Sequence, residues 1–329
     1  MRVYNVKNVN HVYPIAVNDI QKFGTPRESR AGKVIEFPEP VATTYLEPMQ
    51  RVLFNKHRMA NPFFHFIEGL WIINGSRDVK FLDYFNKLMA QYSDNGKDFY
   101  GAYGHRLRHA QGSDQIKIAI KRLKDNPDDR RVVLQMWDAD LDLGKTMKDH
   151  PCNTHIYLKV RDHRLDMTVC CRSNDLIYGC YGANVVHMSM LQEYLACCIG
   201  VNVGIYTQVS DSLHVYTDLP LWQDIKDNTD YFVSDPYSSE YPELAVKPFP
   251  MMRSNPVAWH EDLIEFMLDP FYESEYQTAF FRDVAYPIAL TWKAHKDHND
   301  GLSVVGEIKA TDWQAACRQW LEIKEKKSA

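Results

Sequence analysis

The chain predicts an α+β fold, and two observations carry that expectation. Strand-like alternation and helix-period runs interleave from end to end, and no repeat, low-complexity tract or Pro/Gly/Ser-rich linker separates them. The 329 residues are 45% hydrophobic, which suffices for one large core. A single domain over 1–329 is therefore expected, with a helical C-terminal extension over 226–329.

From the N-terminus, Val3 to Val6 and Val12 to Val17 alternate like short strands. The polar passage Thr25 to Gly32 reads either as a surface loop or as an anion-holding loop, in which a glycine beside a guanidinium lets backbone N–H groups and side chain converge on one phosphate. It feeds a strand over Lys33 to Phe37. Pro62 to Asn74 is apolar on almost every face, which predicts a deeply buried helix with Glu68 in its middle. Val79 to Tyr92 reads as a second helix, Tyr100 to Gly104 as a glycine-rich turn with exposed aromatics, and Asp114 to Leu123 as an amphipathic helix. Arg130 and Arg131 then precede a buried strand, Val132 to Trp137. Strands over Ile156–Val160 and Leu165–Val169 come next, then a Gly-punctuated turn from Gly179 to Asn184 and a helix from Val185 to Ile199. Beyond the segment Ser210–Tyr216, short strands are expected at Tyr231–Val233 and Leu244–Val246. Helices are expected at Leu221–Asp227, Ala258–Leu268, Thr278–Lys296 and Thr311–Lys326, the last capped by Thr311.

A formal charge of −5 without long runs of one sign argues against a nucleic-acid polymer as partner. Seven cysteines, odd in number and lacking CxxC spacing, argue against a disulfide framework or a metal site and for a reducing compartment. No stretch approaches the ~18 apolar residues that span a bilayer, and residues 1–10 carry no cleavage signature. A soluble cytoplasmic protein is expected.

Chemistry-bearing residue types concentrate between His150 and Tyr216. Cys152 follows Pro151 at the head of a strand, which presents its sulfur at an element end. A free cysteine is usually a small buried apolar residue, the reading for Cys170, Cys171, Cys180, Cys197 and Cys198. Cys152 has two readings: that one, and a nucleophile whose thiolate a guanidinium such as Arg172 stabilises. A Cys-His hydrolase would use His150 or His155 as base, but no hydrolase signature surrounds them. Glu68 has no Lys or Arg at helical spacing, so it is either half of an ion pair or a functional carboxylate open to water. Arg130 and Arg131, at a strand mouth, face solvent or meet an anion.

Pro151-Cys152, Arg172-Ser173-Asn174-Asp175, Asn184 opening a helix and His214-Val215-Tyr216 are preceded by Glu68 and Asp128-Asp129-Arg130-Arg131. In this order and near these spacings they resemble the thymidylate synthase family, over roughly residues 25–225. The Arg172–Asp175 and Leu213–Tyr216 versions are similar to its pyrimidine nucleotide hydroxymethylase branch, which acts on deoxycytidylate or deoxyuridylate and is viral. The resemblance implies a thymidylate-synthase-like fold: a large, mostly antiparallel or mixed sheet with helices packed on it. It also implies a pyrimidine nucleoside monophosphate as substrate, 5,10-methylenetetrahydrofolate as cofactor, a homodimer and, as one possible source, a virus. By that likeness Cys152 adds to C6 of the ring and makes C5 electron-rich enough to take a one-carbon unit. Arg172 and Ser173 hold the phosphate, Arg30 closes over it, and Arg130 and Arg131 reach it from the partner subunit. His214 and Tyr216 hold the sugar hydroxyl, Glu68 orders a water for proton movements, and Asp175 and Tyr103 lie toward folate or base.

Asn184 decides the base: an amide matches uracil O4 and N3–H, whereas the family's cytosine branch has aspartate there. The preceding loop is one residue longer than the family's G-x-P-F-N. Counting from Arg172 puts Ala183 at the deciding place; counting back from the helix restores Asn184, which is preferred because helices tolerate slips less than turns. Asn153 stands where synthases have His, and the charged ending Ile323–Ala329 stands where they have a short apolar tail that excludes water. Both favour water over hydride, so 5-hydroxymethylation of dUMP leads. The alternatives are hydroxymethylation of dCMP or CMP, thymidylate synthesis, and a non-catalytic nucleotide-binding relative.

Overall fold

Alternating residues between 153 and 216 build the centre of one mixed sheet. In this computed structural model, which describes residues 1–229, 235–238, 243–298 and 300–328, the chain begins with β1 (Arg2–Val6), α1 (Val9–Phe23), β2 (Thr25–Ser29), β3 (Gly32–Glu36) and β4 (Val41–Tyr45). Helices α2 (Pro62–Asn74), α3 (Val79–Phe85), α4 (Tyr103–Arg108) and α5 (Gln115–Asp125) lead to β5 (Val133–Gln135), β6 (Asn153–Arg161) and β7 (Arg164–Asp175). Next come α6 (Val185–Ile199), β8 (Asn202–Tyr216), α7 (Pro220–Asn228), α8 (Pro256–Leu268), α9 (Tyr286–His298), α10 (Gly301–Val304) and α11 (Thr311–Ser328). The sheet runs β1-β4-β8-β7-β6-β5, with β3 also pairing β8 and β2 pairing β3. Pairs β1/β4 and β7/β8 are parallel and the others antiparallel, so the expected α+β class with a mixed sheet is borne out.

The crossover from β7 to β8 runs through α6, as parallel neighbours require. Because α6 lies between the sheet and α2, all its residues but one are buried, which explains its lack of a polar face. Gly69 lets the two helices approach: a Cβ there would lie 2.5 Å from Met190 Sδ. The inward face of the sheet carries Ile156, Leu158, Leu165, Met167, Val169 and Tyr206, all buried. The outward face carries exposed Tyr157 and Ile205 and half-buried Thr168, Cys170, Thr207 and Val209. The C-terminal helices pack on α2 through aromatic rings: Phe63 meets Trp292 and Trp320 at 5.4 and 5.7 Å, and Phe66 meets Trp313 at 5.0 Å.

Several local expectations are corrected. Val12–Val17 is helical, because Val9, Val12, Tyr13, Ala16, Val17 and Ile20 form a fully buried stripe at helical spacing; this outweighs the local alternation and the hydrogen bond that Pro14 lacks. Thr25–Gly32 is no plain loop but the arm and turn of a hairpin, with Arg30 and Ala31 at its tip and Gly32 at φ +128°. The helix expected over 79–92 stops at Phe85, where Asn86 turns extended, and only one further turn, Met89–Tyr92, comes after it. Tyr100–Gly104 is a turn only in its first half, since Tyr103 opens α4, and both tyrosines are half-buried. The strand near Val132–Trp137 shrinks to three residues at the sheet edge, with Val133 exposed. Leu244–Val246 pairs with no strand; Val246 N–H reaches the Pro236 carbonyl instead. The Thr311 hydroxyl accepts from Lys247 N–H rather than from its own helix. The strand expected at Tyr231–Val233 lies outside the described residues.

Candidate active site

Strand register assembles the site at one end of β6, β7 and β8. Cys152 immediately precedes β6 and accepts the Arg172 backbone N–H at its carbonyl, 2.9 Å. The Arg172 side chain folds back over the same corner. Its Nε donates to the Pro151 carbonyl at 3.1 Å, its Nη2 lies 3.9 Å from Cys152 Sγ, and its guanidinium sits over the Trp137 ring. A planar cation fixed by a carbonyl and an indole keeps its charge beside the sulfur. Burial pushes the Cys152 thiol up; Arg172 and Arg30 pull it back, and Asp149 opposes them. Cys171, Cys180, Cys198 and Cys317 are buried, whereas Cys170 and Cys197 are only partly so. His150 Nε2 accepts the Met147 N–H and His155 stacks on Tyr157, so neither histidine stands ready as a base for Cys152.

Parallel pairing of β7 and β8 sets Ser173 beside Ser212 and Asp175 beside His214. Two residues on, Tyr216 meets the His214 ring edge-on at 5.2 Å. Asp175 accepts the Tyr178 N–H through one oxygen, and its other oxygen is buried without a partner. Burial raises its pKa against the pull of His214 and Arg58. Burial also raises Tyr216, whose hydroxyl senses Asp175, Cys152 and Arg30. Arg30 at the β2–β3 tip is exposed yet close enough to act on both Cys152 and Tyr216. These residues thus share one electrostatic neighbourhood.

Behind Cys152 runs a chain of amides. Asn153 Nδ2 donates to Asn184 Oδ1 (3.3 Å), Asn184 Nδ2 to Asn174 Oδ1 (3.0 Å), and Asn174 Nδ2 to Ser210 Oγ (3.0 Å), all buried. Each side-chain amide fixes the next. Asn184 reaches this position because the stretch Gly179–Asn184, expected as a turn, belongs to a π-helix over Leu176–Asn184 that leads straight into α6. A π turn takes up an extra residue without displacing the helix after it, which accounts for the longer loop. The Asn153 Oδ1 atom has no partner despite full burial.

On the other side of the site α2 presents Glu68. Its Oε2 lies 3.2 Å from His187 Nε2 on α6, and burial, with a contribution from Asp149, raises its pKa to about 8. A cleft of about 130 Å³ opens beside it, lined by Trp71, Met89, Tyr92, Phe99, Tyr103 and Asp149 among others. Tyr103 is placed by Gly104, whose absent side chain lets α4 press on α2; a Cβ there would lie 2.1 Å from the Ile72 carbonyl oxygen. The Tyr103 hydroxyl is pushed well up by burial and senses Cys152, Cys171 and Asp149.

Arg130 and Arg131 do not join this cluster within the chain. Both are exposed, and Arg131 forms a two-pronged pair with Asp129, at 2.9 and 3.2 Å. Sequence reasoning missed His187, Asp149 and Arg58, a buried guanidinium that donates to the Ile177 carbonyl at 2.8 Å. For His187 a signal existed: it is three residues past Asn184, one helical turn along.

A family model described as thymidylate synthase matches residues 11–279. A deoxyuridylate hydroxymethyltransferase of Pseudomonas phage M6 is 43% identical over 98% of this chain and 94% of its own length. A protein of the same name from Bacillus phage SP01 is 40% identical over 57% of this chain and 52% of its own length. A putative thymidylate synthase of Methanothermobacter marburgensis is 41% identical over 38% of this chain and 54% of its own length. Among the described residues no helix is long and apolar enough to cross a membrane. The ordered motifs that resembled this family therefore lie inside a match covering most of the chain, and the chain belongs to the thymidylate synthase family of transferases.

Proposed function

We propose that the chain transfers a one-carbon unit from 5,10-methylenetetrahydrofolate to C5 of dUMP and releases 5-hydroxymethyl-dUMP. The observation that carries this reading is a nucleophile and a base reader tied into one unit: Cys152 stands beside the Arg172 guanidinium, and the next residue, Asn153, holds the Asn184 amide. The Cys152 thiolate adds to C6 of the pyrimidine, and C5 becomes nucleophilic. Arg172, Ser173 and Arg30 take the phosphate, which binds guanidinium groups strongly. His214 and Tyr216 hold the sugar, and Glu68 moves protons through water in the cleft. Asn184, with donor and acceptor both available, favours uracil over cytosine. The folate, when bound, supplies the methylene carbon. The cleft beside Glu68 suits a flat, hydrogen-bonding ring, since Trp71, Met89, Tyr92 and Tyr103 offer apolar walls and Asp149 a carboxyl group.

Water rather than hydride completes the reaction. That step is favoured by Asn153, whose buried Oδ1 remains open to a hydrogen-bond donor, and by the likeness to phage relatives named deoxyuridylate hydroxymethyltransferase. The working form is a homodimer joined through the outward sheet face, with Arg130 and Arg131 reaching the partner's phosphate. The exposure of both arginines and of Tyr157 and Ile205, with half-buried Val209 on the same face, supports it. The protein acts in the cytoplasm, as one domain, and the phage relatives favour a viral source.

Mass spectrometry of the products from dUMP, dCMP and CMP, each with the folate donor, tests the reading. A hydroxymethyl adduct on dUMP alone is expected. Dihydrofolate absorbance with a methyl product would replace it by thymidylate synthesis. Mixing Cys152→Ala with Arg130→Ala protein tests the dimer, because heterodimers regain one intact site.

A further inference from the structure

We propose that Asn174 and Ser210 are positioning residues that fix which way the Asn184 amide faces, and so set the preference for uracil over cytosine without touching the base. The consequence for the base rests on the reading of Asn184 given above; the hydrogen-bonded chain itself belongs to the resting protein.

Strand register draws the chain together. Asn153 pairs with Cys171 across β6 and β7, and Cys171 with Ser210 across β7 and β8, so one row of the sheet leads from the entrance of β6 to β8. Asn174 lies farther along β7, and Asn184 arrives from the π-helical segment. Gly179 leaves room for their bond, since a Cβ there would lie 2.6 Å from Asn174 Oδ1. Asn153, Asn174, Asn184 and Ser210 are all buried, so water does not replace a bond that is lost.

The donors all run one way. Asn153 Nδ2 gives to Asn184 Oδ1, Asn184 Nδ2 to Asn174 Oδ1 and Asn174 Nδ2 to Ser210 Oγ, at 3.3, 3.0 and 3.0 Å. Beyond Ser210 the contacts pass through sulfur and are weaker. Cys180 Sγ lies 4.0 Å from Ser210 Oγ, where either group can donate, and its thiol reaches Gln208 Oε1 at 3.8 Å.

Uracil offers O4 as acceptor and N3–H as donor, whereas cytosine offers its amino group as donor and N3 as acceptor. One amide therefore reads either base, depending on which end faces which atom. Turning Asn184 over by itself would set its oxygen against Asn174 Oδ1 and its nitrogen against Asn153 Nδ2. Two like groups would then meet at hydrogen-bond distance, and two buried bonds would be lost. Turning Asn174 as well moves the conflict to Ser210, whose hydroxyl must then donate to Asn174. The chain is consistent only when every member faces the same sense, and Asn184 is held in that sense from behind. Two hydrogen-bonding sites on its amide, one N–H and one lone pair, are left over for the base. A position that needed only filling would take an apolar side chain, as Ile156, Leu158 and Met167 do on β6 and β7.

Competition between dUMP and dCMP, with the folate donor in excess, tests the chain in the whole protein. Ser210→Ala is expected to lower the preference for dUMP about fivefold, the worth of one buried hydrogen bond, chiefly by raising turnover of dCMP. Asn174→Leu, which removes two bonds, is expected to lower it about tenfold. Asn174→Asp, whose carboxylate only accepts, still faces Asn184 Nδ2 with an oxygen and keeps the preference. A merely structural role would slow both nucleotides alike; an unchanged ratio in Ser210→Ala and Asn174→Leu overturns the proposal, as do leucine and aspartate variants that behave alike. If Ser210→Ala does not fold, the two Asn174 variants decide. A readout independent of turnover is the exchange of the Asn184 side-chain amide hydrogens into heavy water, followed by NMR and identified by their loss in Asn184→Asp. Asn174→Leu is expected to speed it about fivefold, and no change overturns the chain. An unaltered protein that takes dUMP and dCMP alike, or neither, sinks the base reading and its consequence here, while faster exchange in Asn174→Leu leaves the chain standing.

Discussion

Helix α2 serves two regions of opposite character. Toward the sheet end it presents Glu68, beside Asp149, Tyr103 and His187 and across from Cys152. Toward the C-terminal helices it presents Phe63 and Phe66, which meet Trp292, Trp313 and Trp320. Each region also holds a carboxyl raised by burial: Glu68 to about 8, and Asp312, at the start of α11, to about 7. Asp312 is closed in by the Tyr237 hydroxyl at 3.0 Å and the Trp313 N–H at 2.8 Å, and the pocket beside it has only about 10 Å³ of room. Glu68 lies 3.2 Å from the His187 ring and lines an open cleft. The same shift thus accompanies two different jobs, and only the surroundings tell a sealed structural acid from a working one.

The largest effect separating the regions is expected at the sulfur. Cys152→Ala lowers turnover at least about 10³-fold, removes the covalent adduct with 5-fluoro-dUMP in the mass spectrum, and leaves the melting temperature within a degree or two. On the far face the expectation reverses. Phe66→Ala or Trp320→Ala costs about 3–5 kcal/mol in denaturant unfolding, while turnover at low temperature stays within about twofold.

Then come the two carboxyls. In the unfolded chain Glu68 gives up its proton near the ordinary 4.5, whereas in the fold it keeps it to about 8. Its contribution to stability is therefore fully present below 4.5 and is lost as pH rises to about 8. Asp312 behaves alike between 3.8 and about 7. Glu68→Gln and Asp312→Asn should both raise the melting temperature more at pH 8 than at pH 4, read by calorimetry. Only Glu68→Gln should cost activity, by about 10²-fold. An equal loss in Asp312→Asn would erase the distinction between the regions.

The smallest effect concerns the amide chain. Asn174→Leu leaves Asn184 Nδ2 without its acceptor, and the preference for dUMP over dCMP is expected to fall about tenfold in competition assays.

How much of the site was legible depended on whether a signal was local. Pro151-Cys152, Arg172 to Asp175 and His214 to Tyr216 lie on β7, β8 and the entrance of β6, where one-to-one pairing carries sequence order directly into space. Helix α1 was obscured because Pro14 and a short alternation masked a stripe from Val9 to Ile20. The π-helical segment was unreadable in advance, since a Gly-rich stretch permits a turn as readily as a wide helix, and only the packing of α6 against α2 and the sheet selects the latter. Arg130 and Arg131 remain apart from Cys152 within one chain, and their assigned role depends on a second copy.

By itself the sequence determined the class of fold, the family and the identity of the nucleophile, because these rest on residue types at short spacings. Tertiary structure alone decided the company that Glu68 keeps. Its partner His187 lies on a different helix, and they meet only because a glycine permits close approach and the β7–α6–β8 crossover sets α6 against α2. An acid's strength in a protein depends on how it is buried and what faces it, and neither is written next to it in the chain.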